Sequence, residues 1–144
     1  VLRVQSPAVQ ARMRALRYEV DCYKLVMGNL SLFGALTPED VVRNYRLNRM
    51  VVDAAVVHRD QLICVIEFIM GGVSSTAQNA LRIIAKLALC RYRTETVWLL
   101  LPAWLANLGK DIQEEARAWG VTGIRIAHVV EEGGALRLEV VEGL

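Results

Sequence analysis

The chain has 144 residues, of which 54% are hydrophobic and 6% aromatic, a size and composition typical of one globular domain with a full apolar core. No run of about 18 apolar residues is free of charge, so the sequence predicts no membrane-spanning helix. We expect a single domain over residues 1–144. Because the sequence starts with Val1 rather than Met, we expect this domain to be either trimmed or a fragment of a longer chain.

The net charge is only +2, but its distribution along the chain is uneven. Residues 1–93 carry 13 Lys or Arg against 7 Asp or Glu, whereas residues 94–144 carry 4 against 8. The basic part is rich in arginine, and a guanidinium group suits phosphate, so this charge is compatible with a nucleic-acid partner. The three cysteines lack metal-site spacing, and we expect them to be buried free thiols in a reducing cytoplasm.

Hydrophobic periodicity and turn residues predict helices that alternate with strands. In chain order the predicted elements are a helix over 7–28, a short helix over 38–46 or an edge strand over 43–49, strands over 50–57 and 62–69, a helix over 76–92, a strand over 96–101, a helix over 104–119, and strands over 123–130 and 136–141. Ser6 caps the first helix, and Ser75 with Gln78 forms a capping box before the third. This order predicts an α/β fold in which helices flank a mixed central sheet.

Two lone carboxylates stand inside two otherwise apolar strands. Asp53 interrupts the run from 50 to 57, and Glu67 interrupts the run from 62 to 69. Strands that are apolar on both faces are usually central and covered on both sides. An unpaired carboxylate in such a strand is costly, so it is normally paired, protonated or bound to a metal. These two acids are therefore the first place to look for chemistry.

The turn between the two strands decides whether the carboxylates meet. A two-residue turn at Arg59-Asp60 places Asp53 opposite Ile66 and sends Glu67 to the other side of the sheet. A three-residue turn places Asp53 opposite Glu67, with Cβ atoms about 5 Å apart. The sequence lacks the Asn-Gly or Asp-Gly pair of a two-residue turn, so both registers remain open.

In the second register, the two acids form a minimal site for a hard cation. Carboxylates this close repel each other unless one holds a proton or a cation lies between them. Mg²⁺ or Mn²⁺ takes one or two carboxylates and completes its shell with water and phosphate oxygens. A cation held there polarises a phosphate and lowers the pKa of bound water.

The segments around Asp53 and Glu67 resemble the motif of the PD-(D/E)XK, or restriction-endonuclease-like, nuclease superfamily. The resemblance covers about residues 8–101, with Val65-Ile66-Glu67-Phe68-Ile69 in the place of the acid-x-Lys triplet. It implies a restriction-endonuclease-like core and a Mg²⁺-dependent endonuclease, a hydrolase of nucleic acid, with DNA the expected polymer and a homodimer the expected assembly. By the resemblance Asp53 and Glu67 are the metal ligands, and Glu19 matches an additional acid by position.

Ile69 departs from this motif because the family has a lysine there that orients the attacking water and stabilises charge. Gln78, Arg82 and Lys86 are four residues apart and line one face of the helix that follows the hairpin. Some members of the family carry the basic group on a neighbouring helix, so Lys86 or Arg82 is the expected replacement. Arginine can serve there as an electrostatic clamp but does not act as a base, because it does not lose its proton.

Three other interpretations remain open. The domain could retain the nuclease fold as a catalytically inactive nucleic-acid-binding or assembly domain, or it could be an unrelated α/β binding domain. The acids could also form structural ion pairs with Arg46 or Arg49. In the nuclease interpretation Arg43, Arg46 and Arg49 contact the phosphate backbone together with Gln78. The sequence shows no strip of alternating basic and aromatic residues of the kind that binds single strands.

Overall fold

In the described part of the chain, three helices and six strands follow one another in the predicted order, with an edge strand at the position that the sequence left open between a helix and a strand. The computed structural model describes residues 6–69 and 77–141, without the side chains of residues 11, 12, 15, 16, 77 and 78. Its helices and strands are α1 (Pro7–Met27), β1 (Val41–Leu47), β2 (Met50–His58), β3 (Gln61–Phe68), α2 (Ala77–Arg91), β4 (Val97–Pro102), α3 (Ala106–Ala118), β5 (Ile124–Glu132) and β6 (Ala135–Val140). Short 3-10 turns lie at Leu30–Phe33, Pro38–Asp40 and Ala103–Leu105.

The strands form one mixed sheet in sequential order from β1 to β6. β3, β4 and β5 run parallel, and the connections between them carry α2 and α3. β1 with β2, β2 with β3, and β5 with β6 pair antiparallel. The predicted mixed sheet flanked by helices is therefore confirmed.

Each face of the sheet carries its own apolar core. On one face, α2 and α3 pack through buried residues such as Ile84, Leu87, Leu108 and Ile112. On the other face, α1 and the following turn contribute Cys22, Val26 and Phe33, which pack with residues of the sheet such as Trp98 on β4. Both faces of the central strands are thus removed from water, as their continuous apolar sequence predicts.

The predicted ends of α1 are confirmed. For the segment that follows, one of the two alternatives, the short helix, is wrong. Ser6 Oγ accepts a hydrogen bond from the backbone N of Val9 at 3.3 Å, which makes Ser6 the N-cap. The short helix predicted over 38–46 is wrong beyond a single 3-10 turn, because residues 41–47 pair with β2 along the sheet edge. The edge strand, the other prediction for this segment, is the one that forms.

The hairpin between β2 and β3 combines a two-residue turn with a β-bulge. Arg59 and Asp60 both have positive φ, 50° and 63°, as expected for a turn that matches the twist of the strands. His58 therefore pairs with Gln61. The register then shifts by one residue next to Val56, so that Ala54 faces Ile66 further along. The bulge gives the register that a three-residue turn was expected to give.

The remaining sequence predictions have mixed outcomes. Cys22, Cys64 and Cys90 are buried free thiols, as expected, and burial raises the pKa of each. The helical spacing of Trp104 and Trp119 predicts core or packing positions for both, but both are more than half exposed. Among the described residues, no helix is long and apolar enough to cross a membrane. The predicted capping box at Ser75 lies outside the described residues.

Candidate active site

The carboxylates of Asp53 and Glu67 meet between β2 and β3 and replace part of the backbone ladder. The backbone N of Asp53 donates to Glu67 Oε1 at 3.0 Å, and the backbone N of Phe68 donates to Asp53 Oδ2 at 2.7 Å. Each acid thus accepts an N–H from the strand that carries the other acid. The two side chains converge instead of pointing to opposite faces, which is the arrangement that a shared site requires.

A local irregularity in the sheet places Asp53 between the two helical layers. Its neighbours Val52 and Ala54 belong to opposite cores, although alternation along a strand puts residues i and i+2 on one face. Asn44, across from this point on β1, has a φ of 49°. The kink leaves the Asp53 carboxylate under the electrostatic influence of both Glu19 on α1 and Lys86 on α2.

Lys86 is the cationic partner of the pair. Its Nζ lies 2.9 Å from Glu67 Oε2, with 37% of the lysine side chain and 9% of the glutamate side chain exposed. The structural ion pairs proposed with Arg46 or Arg49 are not found, because within the described residues neither arginine pairs with Asp53 or Glu67. The basic group comes from the helix face on which the sequence predicted a replacement for the missing motif lysine.

The pair is electrostatically strained in spite of Lys86. Burial and then the neighbouring Asp53 charge raise the pKa of Glu67 to about 7, against a smaller lowering effect of Lys86. Burial also raises the pKa of Asp53, although the Phe68 N–H and Lys86 oppose this. Two acids share one ammonium group, so the site carries one uncompensated negative charge when both are ionised.

A cavity of about 200 Å³ opens beside Glu67. It is lined by Glu67, Ile69, Arg82, Ile83, Lys86 and Leu87. Ile69, at the motif lysine position, therefore faces the same space as Lys86 and Arg82. Arg82 is exposed and donates to Asn79 Oδ1 at 3.3 Å. The cavity gathers one predicted acid and both predicted basic residues.

The other predicted site residues are spread more widely. Arg43 Nη2 lies 3.7 Å from Glu19 Oε1, and its guanidinium stacks 4.8 Å from the ring centroid of Tyr23. Arg46 is exposed on the edge strand, and Arg49 lines a different cavity near the end of α2. Gln78 belongs to α2, but its side chain lies outside the described residues. The three arginines are therefore not one cluster.

The donor set fits a hard divalent cation with an incomplete protein shell. Within residues 6–69 and 77–141, no group of three or more His, Cys, Asp or Glu side chains could hold a metal. Asp53 and Glu67 supply two carboxylates, and no described residue forms a hydrogen bond with Asp53 Oδ1. Mg²⁺ and Mn²⁺ are often held by one or two carboxylates and complete their shells with water and phosphate.

Two parts of the site were missed in the sequence. The N–H of Phe68, which binds Asp53, is a backbone group that no side-chain pattern reveals. Asn44 was passed over, although asparagine is several-fold enriched at positive φ, and an asparagine in the middle of a strand is a usable signal for a kink.

Comparisons with known proteins give a distant structural similarity. No family model matches the chain, and no curated protein matches it. Among solved structures, the YaeQ protein from Pseudomonas syringae is similar at a TM-score of 0.40 and 13% sequence identity. The match covers 85% of this chain and 79% of that one.

Proposed function

We propose that this chain is a metal-dependent phosphodiesterase that cleaves nucleic acid, with DNA the expected polymer, on a restriction-endonuclease-like core. The observation that carries the proposal is the convergence of Asp53 and Glu67 with Lys86 Nζ, which lies 2.9 Å from Glu67 Oε2. Two acids and one lysine from three separate elements, β2, β3 and α2, come together, and a cavity lined by Glu67 and Lys86 opens beside them.

In this function Asp53 and Glu67 hold Mg²⁺ or Mn²⁺, which when bound supplies Lewis-acid polarisation of the phosphate and a more acidic water. Lys86 stabilises negative charge that develops on the phosphate, the role of the motif lysine that Ile69 lacks. Arg82, at the mouth of the cavity, holds a phosphate oxygen as a fixed charge. Preorganised charges in a partly dry site are worth more than the same charges in water.

A catalytically inactive nucleic-acid-binding or assembly domain is the second candidate, and one observation favours it. Three of the four carboxylate oxygens already have partners, namely two backbone N–H groups and the Lys86 ammonium. The same contacts would stabilise the hairpin in a domain that had lost catalysis. In that case the site would be a structural remnant, and DNA binding would depend on surface arginines such as Arg43, Arg46 and Arg49.

Plasmid relaxation in Mn²⁺ and in Mg²⁺ separates the two candidates. Wild type is expected to nick supercoiled plasmid, and Asp53→Asn and Glu67→Gln are expected to lower the rate by at least about a hundredfold. Asp111→Asn, an exposed acid on α3, is the matched control and is expected to cleave like wild type. Circular dichroism verifies that each variant is folded.

The outcomes are distinct. Loss of cleavage in both site variants supports the enzyme. DNA binding without cleavage by wild type in either metal supports the inactive domain. If wild type neither cleaves nor binds DNA, both the enzyme and the nucleic-acid-binding domain are ruled out. Equal rates in wild type and Glu67→Gln would place the activity elsewhere on the chain or in a contaminant. Assembly as a homodimer stays a prediction, which sedimentation of the intact chain tests.

A further inference from the structure

A second and larger cavity, of about 840 Å³, lies where the β1–β2 turn approaches the end of α2. We call it the turn groove. Its lining residues are Leu47, Asn48, Arg49, Met50, Leu89, Tyr92 and Arg93. Two segments about 40 residues apart in the sequence form it, so no linear pattern of basic and aromatic residues predicts it.

The charge of the turn groove is one-sided. Arg49 and Arg93 both line it and both are exposed, while none of its lining residues is acidic. Neither guanidinium has an ion-pair partner among the described residues, unlike Arg43, which pairs with Glu19. Two unneutralised arginines beside a concave surface attract an anion, and a guanidinium matches phosphate geometry.

The same groove exposes an aromatic ring that the fold does not use. Tyr92 is 91% exposed and Leu89 is 63% exposed, although both are large and partly apolar. A ring presented in this way beside arginines is the arrangement on which unpaired bases stack. Asn48, in the turn with a φ of 59°, adds an amide that can donate to and accept from a base edge.

The turn groove lies on the same helix as the carboxylate site. Lys86 and Leu89 are three residues apart on α2, so they share one helix face. From Lys86 to Tyr92, the residue that directly follows α2, the axial rise is about 9 Å, which a single strand of a few nucleotides spans. One strand can therefore contact both places.

We propose that the turn groove binds a nucleotide of a single-stranded segment of the substrate, with its base stacked on Tyr92 and its phosphates contacted by Arg49 and Arg93. The alignment of this nucleotide with the carboxylate site rests on the proposed phosphodiesterase function, whereas binding in the groove itself does not. The substrate is then a single strand, or a duplex with an unpaired end or bubble, because a paired base does not offer its face to Tyr92.

Fluorescence anisotropy in EDTA tests the groove without any cleavage. The probes are a labelled oligothymidine of about 12 nucleotides and a blunt duplex of the same length. Tyr92→Ala is expected to weaken binding of the single strand by roughly 5- to 100-fold and of the duplex by less than about twofold. Tyr92→Phe keeps the ring and is expected to restore binding. Trp104→Ala, which removes an exposed aromatic outside the groove, is the matched control.

The arginines have a separate readout. Arg93→Ala is expected to lower the slope of log affinity against log salt by about 1, as for the loss of one phosphate contact. Arg117→Ala, an exposed arginine on α3, is the control and is expected to leave the slope unchanged.

Failure of this inference is distinguishable from failure of the proposed function. If wild type does not bind the single strand, or if Tyr92→Ala weakens single strand and duplex equally, the groove assignment is overturned even where plasmid is cleaved. If binding depends on Tyr92 but no metal supports cleavage, nucleotide binding in the turn groove is supported and the proposed phosphodiesterase function is refuted. Unchanged binding by both Tyr92→Ala and Arg93→Ala likewise overturns the assignment.

Discussion

Two buried acids, Asp40 in the 3-10 turn before β1 and Glu67 on β3, have pKa values that are shifted in opposite directions. Asp40 accepts hydrogen bonds from the backbone N of Leu36 at 2.9 Å and of Thr37 at 3.4 Å, and it pairs with His58 Nδ1 at 3.2 Å. These donors hold the pKa of Asp40 below its ordinary value. Glu67 faces another carboxylate instead, and burial with that charge raises its pKa to about 7.

The contrast separates a structural acid from a candidate functional one. Around Asp40, each donor removes strain and the cluster stabilises one turn before β1. Around Glu67, two acids share the single ammonium of Lys86, and the fold tolerates a repulsion that apolar residues would avoid. A carboxylate with a strongly shifted pKa beside a cavity is a candidate for a functional site. The following predictions test this difference.

The largest expected effect is on cleavage when Lys86 and His58, the side chains that pair with Glu67 and Asp40, are replaced in turn. Lys86→Met is expected to lower the plasmid-nicking rate by at least about a hundredfold, because the charge beside Glu67 is lost. Ile69→Lys in that background is expected to recover about tenfold, since both residues line one cavity. His58→Gln removes the basic partner of Asp40 and is expected to change the rate by less than about twofold.

Thermal unfolding of each variant supplies the control for folding. A double variant that is folded but no more active than Lys86→Met would contradict the idea that Lys86 takes the place of the motif lysine. A large loss of activity in folded His58→Gln would remove the distinction between the two acids.

The next effect is on the pH dependence of stability. Because the pKa of Glu67 is raised from 4.5 to about 7, the folded state holds an extra proton between these values, and wild type loses stability as the pH rises through them. Glu67→Gln removes this loss, so its stability relative to wild type is expected to improve by about 2 kcal/mol between pH 4.5 and pH 7.

Asp40→Asn is expected to behave in the opposite way. The lowered pKa of Asp40 stabilises the fold above its ordinary value of 3.8, and that stabilisation is lost as the pH falls through the folded pKa. The variant is thus less stable than wild type at pH 7 and approaches it in acid. Urea unfolding across this range measures both differences. A Glu67→Gln difference that does not vary with pH would refute the raised pKa.

The smallest effect is on metal affinity. In the proposed function Mn²⁺ displaces the proton from Glu67, so affinity measured by calorimetry is expected to rise about fivefold between pH 6 and pH 7 and about twofold more before it levels off at higher pH. Asp40→Asn is expected to keep this dependence, and Asp53→Asn to abolish binding. Affinity that is independent of pH would indicate that Glu67 is not a ligand.

Local signals in the sequence were enough for most of the fold. Ser6 and Pro7 define the start of α1, and continuous apolar runs define β2, β3 and β4. The segment after Asp40 was ambiguous because its turn looks like a helix start, and only pairing with β2 makes it a strand. The prediction for Trp104 was wrong because helical spacing identifies the apolar face of a helix without showing whether another element covers all of that face.

The candidate site was predictable in its residues but not in its geometry. Asp53, Glu67 and Lys86 stand out as polar groups in apolar or amphipathic patterns. Their meeting depends on the bulge beside Val56, which is set by the packing of the whole hairpin and has no sequence signature at Arg59-Asp60. The turn groove was not predictable, because it joins residues that only the tertiary fold brings together.

The anomalous difference density of a crystal soaked in Mn²⁺ tests directly whether Asp53 and Glu67 together hold a divalent cation. We expect a peak about 2 Å from Asp53 Oδ1 and from a carboxylate oxygen of Glu67, and no such peak in Asp53→Asn crystals. If the soaked wild-type crystal shows Lys86 still bound to Glu67 and no ion between the two acids, the pair is structural and the proposed metal site is refuted.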